Sequence, residues 1–270
     1  MKQKLLSYTV AAVLMNAGAA SATVVYSNDF QSAVGSEWTT TFGGGLSLDH
    51  TAADGNRLFL GRSDGETHGN VDTDPAHLGN GNDVLRLAVN ALPTHTKIQL
   101  AFDVYAIHSW DGNGPLGNFD FGPDQFGVTI AHANANTPSS FITTFSNVNG
   151  GEAGSDPVLG ALQSFPDPFP TLPGSAPFSG SLEHGTLGYD FFGGGPGDDD
   201  SVYRITLTFA HTGSDLQLSF FGVGLQELQD ESWGLDNVQV SAVPLPAPLI
   251  MLVSGLAAAL PLRRKSRRPI

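Results

Sequence analysis

Five carboxylates stand where strand-like stretches meet turns, and they are the residues best placed to do chemistry. Asp29 lies in Ser27-Asn28-Asp29-Phe30, Asp111 in Ser109-Trp110-Asp111-Gly112-Asn113, and Asp124 in Gly122-Pro123-Asp124-Gln125-Phe126. Glu231 and Asp236 share the stretch from Asp230 to Val238. Calcium takes about six to eight oxygen ligands, which strand-end carboxylates and loop carbonyls can supply. Pairing of the first and last strands would bring Asp29 near Asp236. The chemistry this pattern points to is a structural calcium site. The alternative is that the same acids cap turns and solvate loops.

Aromatic residues carry the second expectation. Trp38, Trp110 and Trp233 lie at loop edges, and Tyr105 falls opposite the apolar face of its strand. A sugar ring can lie on an aromatic face while nearby Asp and Asn bind its hydroxyls. The four are therefore candidate carbohydrate-binding residues, with packing at the rim of a core as the alternative.

Catalytic patterns fare worse. Glu227 to Glu231 superficially resembles the acidic strand of some β-sandwich glycosidases. A retaining pair needs its carboxylates about 5–5.5 Å apart on one face. Strand periodicity would turn Asp230 away from Glu227 and Glu231. No H-E-x-x-H zinc pair occurs, and the eight histidines are scattered, with loop surface expected for most. Cysteine is absent, which excludes disulfides and thiolate chemistry. Gly194 to Asp199 matches the start of a calcium-binding nonapeptide in a single copy, so an acidic turn is expected there. No residue is assigned a catalytic role.

The elements that must position these residues are strands. Leu85 to Val89, Lys97 to Val104, Tyr203 to Phe209 and Leu216 to Phe220 alternate apolar and polar residues. Period two puts each apolar set on one face of a sheet. Shorter candidates are Val24–Tyr26, Arg57–Leu60, Phe126–Ala131, Phe141–Phe145 and Asn237–Ser241. One buried and one polar face predict an all-β, antiparallel, two-sheet β-sandwich of jelly-roll type. Phe221 to Leu228 is the nearest approach to a helical stripe, and Gly222 and Gly224 weaken it. Two long Gly/Pro/Asp-rich loops are expected, Asp49–Asp83 and Asn147–Asp200. The aromatic content of the second favours an ordered excursion over the sandwich.

Both chain ends are apolar. Residues 1–22 begin with Lys2 and Lys4, continue through an apolar run and close on Ala20-Ser21-Ala22, the pattern of a signal peptide. Cleavage there makes signal peptidase a processing partner and Thr23 the mature start. Leu245 to Leu262 holds no charged residue, and its 18 residues are near the lower limit for a membrane-spanning helix. Arg263, Arg264, Lys265, Arg267 and Arg268 follow and are expected to stay cytoplasmic. Residues 23–242 would form one domain. All 26 acidic residues fall within it, against five basic ones, Arg57, Arg62, Arg86, Lys97 and Arg204, a formal charge of −21. Such a body repels nucleic acid and anionic membranes and attracts cations. Its contact with membrane would run only through the C-terminal segment.

The C-terminal arrangement resembles the VPLPA variant of the PEP-CTERM sorting signal. The matching residues are Val243, Pro244, Leu245, Pro246 and Ala247, the apolar segment Pro248 to Leu262 and the basic cluster, together residues 243–270. The resemblance implies export in a Gram-negative bacterium, transient anchoring in the inner membrane, removal of the tail by an exosortase-type protease, and residence at the cell surface or in a biofilm matrix. The body also resembles secreted bacterial jelly rolls that end in a Trp233-Gly234-Leu235-Asp236-Asn237-Val238 type of strand, many of which bind calcium or carbohydrate. Three readings follow. The first is a non-catalytic extracellular matrix domain that associates with exopolysaccharide and carries structural calcium. The second is a purely structural surface protein, and the third is a polysaccharide hydrolase.

Overall fold

The computed structural model describes residues 21–40, 46–53, 57–63, 84–113, 123–131, 139–147, 162–190, 199–226 and 228–245. These form twelve strands: β1 (Thr23–Asn28), β2 (Trp38–Thr40), β3 (Leu48–His50), β4 (Leu58–Ser63), β5 (Leu85–Val89), β6 (Lys97–His108), β7 (Gln125–Ala131), β8 (Ser139–Thr144), β9 (Glu183–His184), β10 (Asp200–Ala210), β11 (Leu216–Val223) and β12 (Glu231–Val243). All pairings are antiparallel. A seven-stranded sheet runs β3-β4-β12-β6-β10-β9, with β1 also on β12, and a five-stranded sheet runs β2-β5-β11-β7-β8. The pairs β4–β12, β5–β11, β6–β10 and β7–β8 are nested in sequence, which is the wrapping of a jelly roll.

Alternation explains the core. Ile98, Leu100, Phe102 and Val104 of β6 face Phe126, Val128 and Ile130 of β7 and Leu216, Leu218 and Phe220 of β11 in one continuous cluster. A smaller cluster lies outside the seven-stranded sheet, where Leu187 and Tyr189 cover Phe59, Tyr105, Ile107 and Val202. Among the described residues there is no helix long and apolar enough to cross a membrane. The expected terminal helices, most of the signal peptide and the sorting segment beyond Leu245 lie outside the described residues. Phe221 to Val223 continue β11 rather than opening a helix.

Residues 162–190 of the expected Asn147–Asp200 loop pack against the sandwich. Phe165 packs on Phe145 and Tyr203, with ring centroids 5.5 and 5.0 Å apart. Gln163 anchors the segment: Ser146 N and the Tyr203 hydroxyl donate to its Oε1, and its Nε2 donates to the carbonyls of Phe165 and Ser179. Buried polar groups satisfied in this way fix one conformation.

A buried acidic triad between the sheets

Three of the five expected acids meet at one end of the sandwich. Asp111 follows β6 in a turn, Asp124 immediately precedes β7, and Glu231 opens β12. Each offers a carboxylate oxygen, and these oxygens all lie within 4.8 Å of one another. Strand phase accounts for the inward aim. Glu231 shares its face with Trp233 and Leu235, both in the core, and Asp124 is in phase with Phe126. Asp124 and Glu231 are fully buried.

Local backbone geometry holds the turn. Gly112 has φ of 76°, and a Cβ there would lie 2.5 Å from the Leu162 carbonyl oxygen, so glycine is required. The Gly112 carbonyl accepts from Asp124 N, and Asp111 N donates back to Asp124 Oδ2. Asp111 is bridged to Ser146 on the other sheet's side. Glu231 accepts from Gln226 N (2.6 Å) and Gln226 Nε2 (3.1 Å). Asp124 Oδ1 is buried and accepts no hydrogen bond.

Neighbouring cations do not relieve this concentration of negative charge. Arg57 pairs with Glu183, Arg62 with Asp49 and Arg204 with Asp103. Lys97 sits at the opposite end of β6. His108, opposite Glu231 in register, is pushed down to about 4 by burial and the Arg62 charge, so it stays neutral. Burial, reinforced by Asp230, raises Asp111 to about 6. Burial raises Glu231 to about 8, with the Asp111 charge adding to it. Asp124 is pushed well above the carboxylate range by burial and by Glu231. A metal-free triad therefore holds protons at neutral pH.

The donor set suits a hard cation, because it is all carboxylate oxygen with no imidazole or thiolate. Oxygens bound to calcium at about 2.3–2.6 Å can be up to about 5 Å apart, which accommodates the observed spacing.

The other two acids do not join the triad. The expected β1–β12 pairing is present, with Asn28 opposite Val238. Asp29 nevertheless only accepts from Gln31 N in a local turn. Asp236 is buried, accepts from the Tyr105 hydroxyl (2.8 Å) and Asn237 N (2.7 Å), and lies opposite Asp103. Strand alternation explains its separation from Glu231: the unbroken register from Glu231 opposite His108 to Asp236 opposite Asp103 puts the two side chains on opposite faces of β12. A one-residue bulge follows, where Asp236 pairs with Asp103 but Gln239 with Ala101 and Asn237 takes φ of 50°, and it turns Val238 and Val240 onto the core face.

The aromatic platform is overturned. Trp110 and Trp233 are fully buried, Tyr105 is 1% exposed and Trp38 3%. Trp110 donates to the Ser232 carbonyl and Trp38 to the Tyr26 hydroxyl. Phe59 and Arg57 cover the Tyr105 ring. None presents a free ring face to a sugar: the three tryptophans pack into the core between the sheets, and Tyr105 packs in the outer cluster with Leu187 and Tyr189.

Two features escaped the sequence reading. His95 and His211, 116 positions apart, are buried, stacked and hydrogen bonded between Nε2 and Nδ1 at 2.7 Å. Gly61-Arg62-Ser63-Asp64-Gly65 has the spacing of a nucleophile elbow. Ser63 instead ends β4, is fully buried and lies opposite Trp233, which rules out an exposed nucleophile.

No family model matches the sequence, and no curated protein matches it. Solved structures give distant likenesses. The CBM22-1 xylan-binding domain from Paenibacillus barcinonensis Xyn10C is 13% identical, with a TM-score of 0.36 over 84% of this chain and 99% of that one. The K3 cleaved adhesin domain of Lys-gingipain from Porphyromonas gingivalis w83 is 13% identical, with a TM-score of 0.37 over 82% and 100%. The K1 domain of the same protein is 14% identical, with a TM-score of 0.35 over 82% and 98%.

Proposed function

We propose that this chain is an exported, non-catalytic surface domain whose sandwich is locked by calcium at Asp111, Asp124 and Glu231. The observation that carries the calcium reading is the triad itself: three carboxylates, two of them fully buried, converge from both sheets. Bound calcium would neutralise the triad and tie the two sheets together at one end. The burial of two of the three argues against catalysis, since a glycan does not reach the fully buried Asp124 and Glu231.

Sorting by an exosortase-type protease and association with an exopolysaccharide matrix complete the reading. Sorting rests on the sequence from Val243 to Arg268. Mass spectrometry of the protein recovered from its host tests it. The expected product starts at Thr23 and ends near the Val243–Ala247 motif. A full-length cytosolic polypeptide would overturn the export reading.

A further inference from the structure

One side of β12 is shared by two strands in succession. β4 pairs with Trp233 to Leu235, and β1 pairs with Val238 to Ala242. The strands part at the Asn237 bulge, and a cleft of about 610 Å³ opens there on the solvent side of the sheet. Its walls are Asn28 and Asp29, the turn Ser32–Gly35, and Arg204; Ala101 and Gln239 line it between them. The volume falls within the roughly 300–1,000 Å³ range of small-ligand sites.

The walls are pre-formed. Asn28 Nδ2 donates to the carbonyls of Ala33 (3.1 Å) and Val34 (3.0 Å), and its Oδ1 accepts from Phe30 N (2.8 Å). Gln31 Nε2 ties the same turn to the Leu58 carbonyl at the start of β4. Arg204 is held through Nε and Nη2 by Asp103, which also accepts from Asn237 Nδ2. Its Nη1 is left over, as are the Gln239 amide and the Ser27 and Ser32 hydroxyls, none of which bonds another described residue. Arg204 Nη1, the Gln239 amide and the two hydroxyls thus leave both donors and acceptors along the cleft that the fold does not consume.

That mixture selects its ligand. Arg204 is already matched by Asp103, Asp29 adds a negative charge, and the domain is strongly acidic, so an anionic ligand is disfavoured. No aromatic or large aliphatic ring wall is present among the lining residues, so an apolar ligand has no surface to cover. Sugar hydroxyls are each donor and acceptor, as this lining requires. We infer that the cleft between β1 and Arg204 binds a neutral saccharide unit through its hydroxyls. The inference rests on the reading that the domain associates with polysaccharide, and it gives that association a place.

The test uses the full chain and immobilised neutral tetrasaccharides (cellotetraose, maltotetraose and a β-1,3-glucan tetramer), with tetragalacturonate as the acidic comparison. Binding is measured for wild type, for the double variant Ser32→Ala with Gln239→Ala, for Ala101→Trp, and for Thr208→Ala on the same sheet outside the cleft. The wild type is expected to bind at least one neutral probe more tightly than the acidic one. The double variant should bind it about tenfold or more weakly, and Thr208→Ala within about twofold of wild type. Ala101→Trp fills the cleft and should abolish binding; if it fails to fold, the double variant decides alone. Equal binding by wild type and double variant would place the saccharide elsewhere, which overturns the cleft and leaves the polysaccharide reading standing. Binding only of tetragalacturonate overturns the neutral-ligand assignment. No binding of any probe by wild type overturns both.

Discussion

Glu231 and Asp124 approach one another from opposite sheets, Glu231 at the head of β12 and Asp124 at the head of β7, and both are fully buried. Two carboxylates so placed, with Asp111 beside them, leave the fold a choice between protons and a cation. The first predictions test that choice.

Calcium should raise the melting temperature. At about 100-fold excess over its dissociation constant, a ligand that binds only the native state adds about 2.7 kcal/mol. For a domain of roughly 200 residues this is a rise of about 5–10 °C, read by scanning calorimetry with calcium and with chelator. The ligands must lose protons to bind, so affinity should climb as pH rises through the range where Asp111 (about 6) and Glu231 (about 8) ionise. Affinity that is flat between about pH 5.5 and 8 would disconnect the ion from these groups.

Glu231→Gln separates the ion from the fold. The variant removes a buried carboxyl that is partly ionised at about pH 8 beside ionised Asp111, so in chelator at that pH it should melt at or above the wild type. It should also lose the rise produced by calcium. Equal stabilisation of variant and wild type by calcium would move the ion to another site.

Asp236 gives an independent pH dependence. Burial raises it to about 6, while the Tyr105 hydrogen bond holds it lower than burial alone would. The folded state therefore binds this proton more tightly than the unfolded chain does. Its stabilising contribution is complete below the unfolded value of about 3.9 and is lost as pH rises through about 6, on the order of 2–3 kcal/mol. Tyr105→Phe should cost about 1–3 kcal/mol and move the Asp236 titration upward, observable by carboxyl NMR. A downward move would contradict the assigned hydrogen bond.

The tryptophans should behave as core. Trp38, Trp110 and Trp233 are the only three in the chain, and all are buried. Intrinsic emission should be blue-shifted and unchanged on adding saccharide, including one that binds the cleft. Trp110→Ala should cost about 3–5 kcal/mol in denaturant unfolding. A saccharide-dependent shift of tryptophan emission would restore the aromatic platform.

Much of the fold was legible, because alternation in β5, β6, β10 and β11 needs only a buried face and a wet one. β2, β3 and β9 were not, since strands of two or three residues are defined by pairing rather than by pattern. For the site, turn position identified Asp111, Asp124 and Glu231 as candidates but also drew in Asp29 and Asp236. Strand alternation separates Asp236 from Glu231, a parity that the spacing of the two residues carries but that turn position alone does not weigh. The tryptophans misled for a related reason: adjacency to a loop says nothing about which way a side chain at a strand end points. His95 and His211 were invisible because their contact depends on two distant loops meeting at one end of the sandwich.

The most direct measurement of the central claim is calcium titration into the chelator-treated full chain at about pH 7.5, followed by metal analysis, for wild type and Asp124→Asn. A cation-locked sandwich predicts about one calcium per wild-type chain and none on the variant. A wild-type chain that remains metal-free at millimolar calcium, or a variant that takes up the ion equally well, would contradict it.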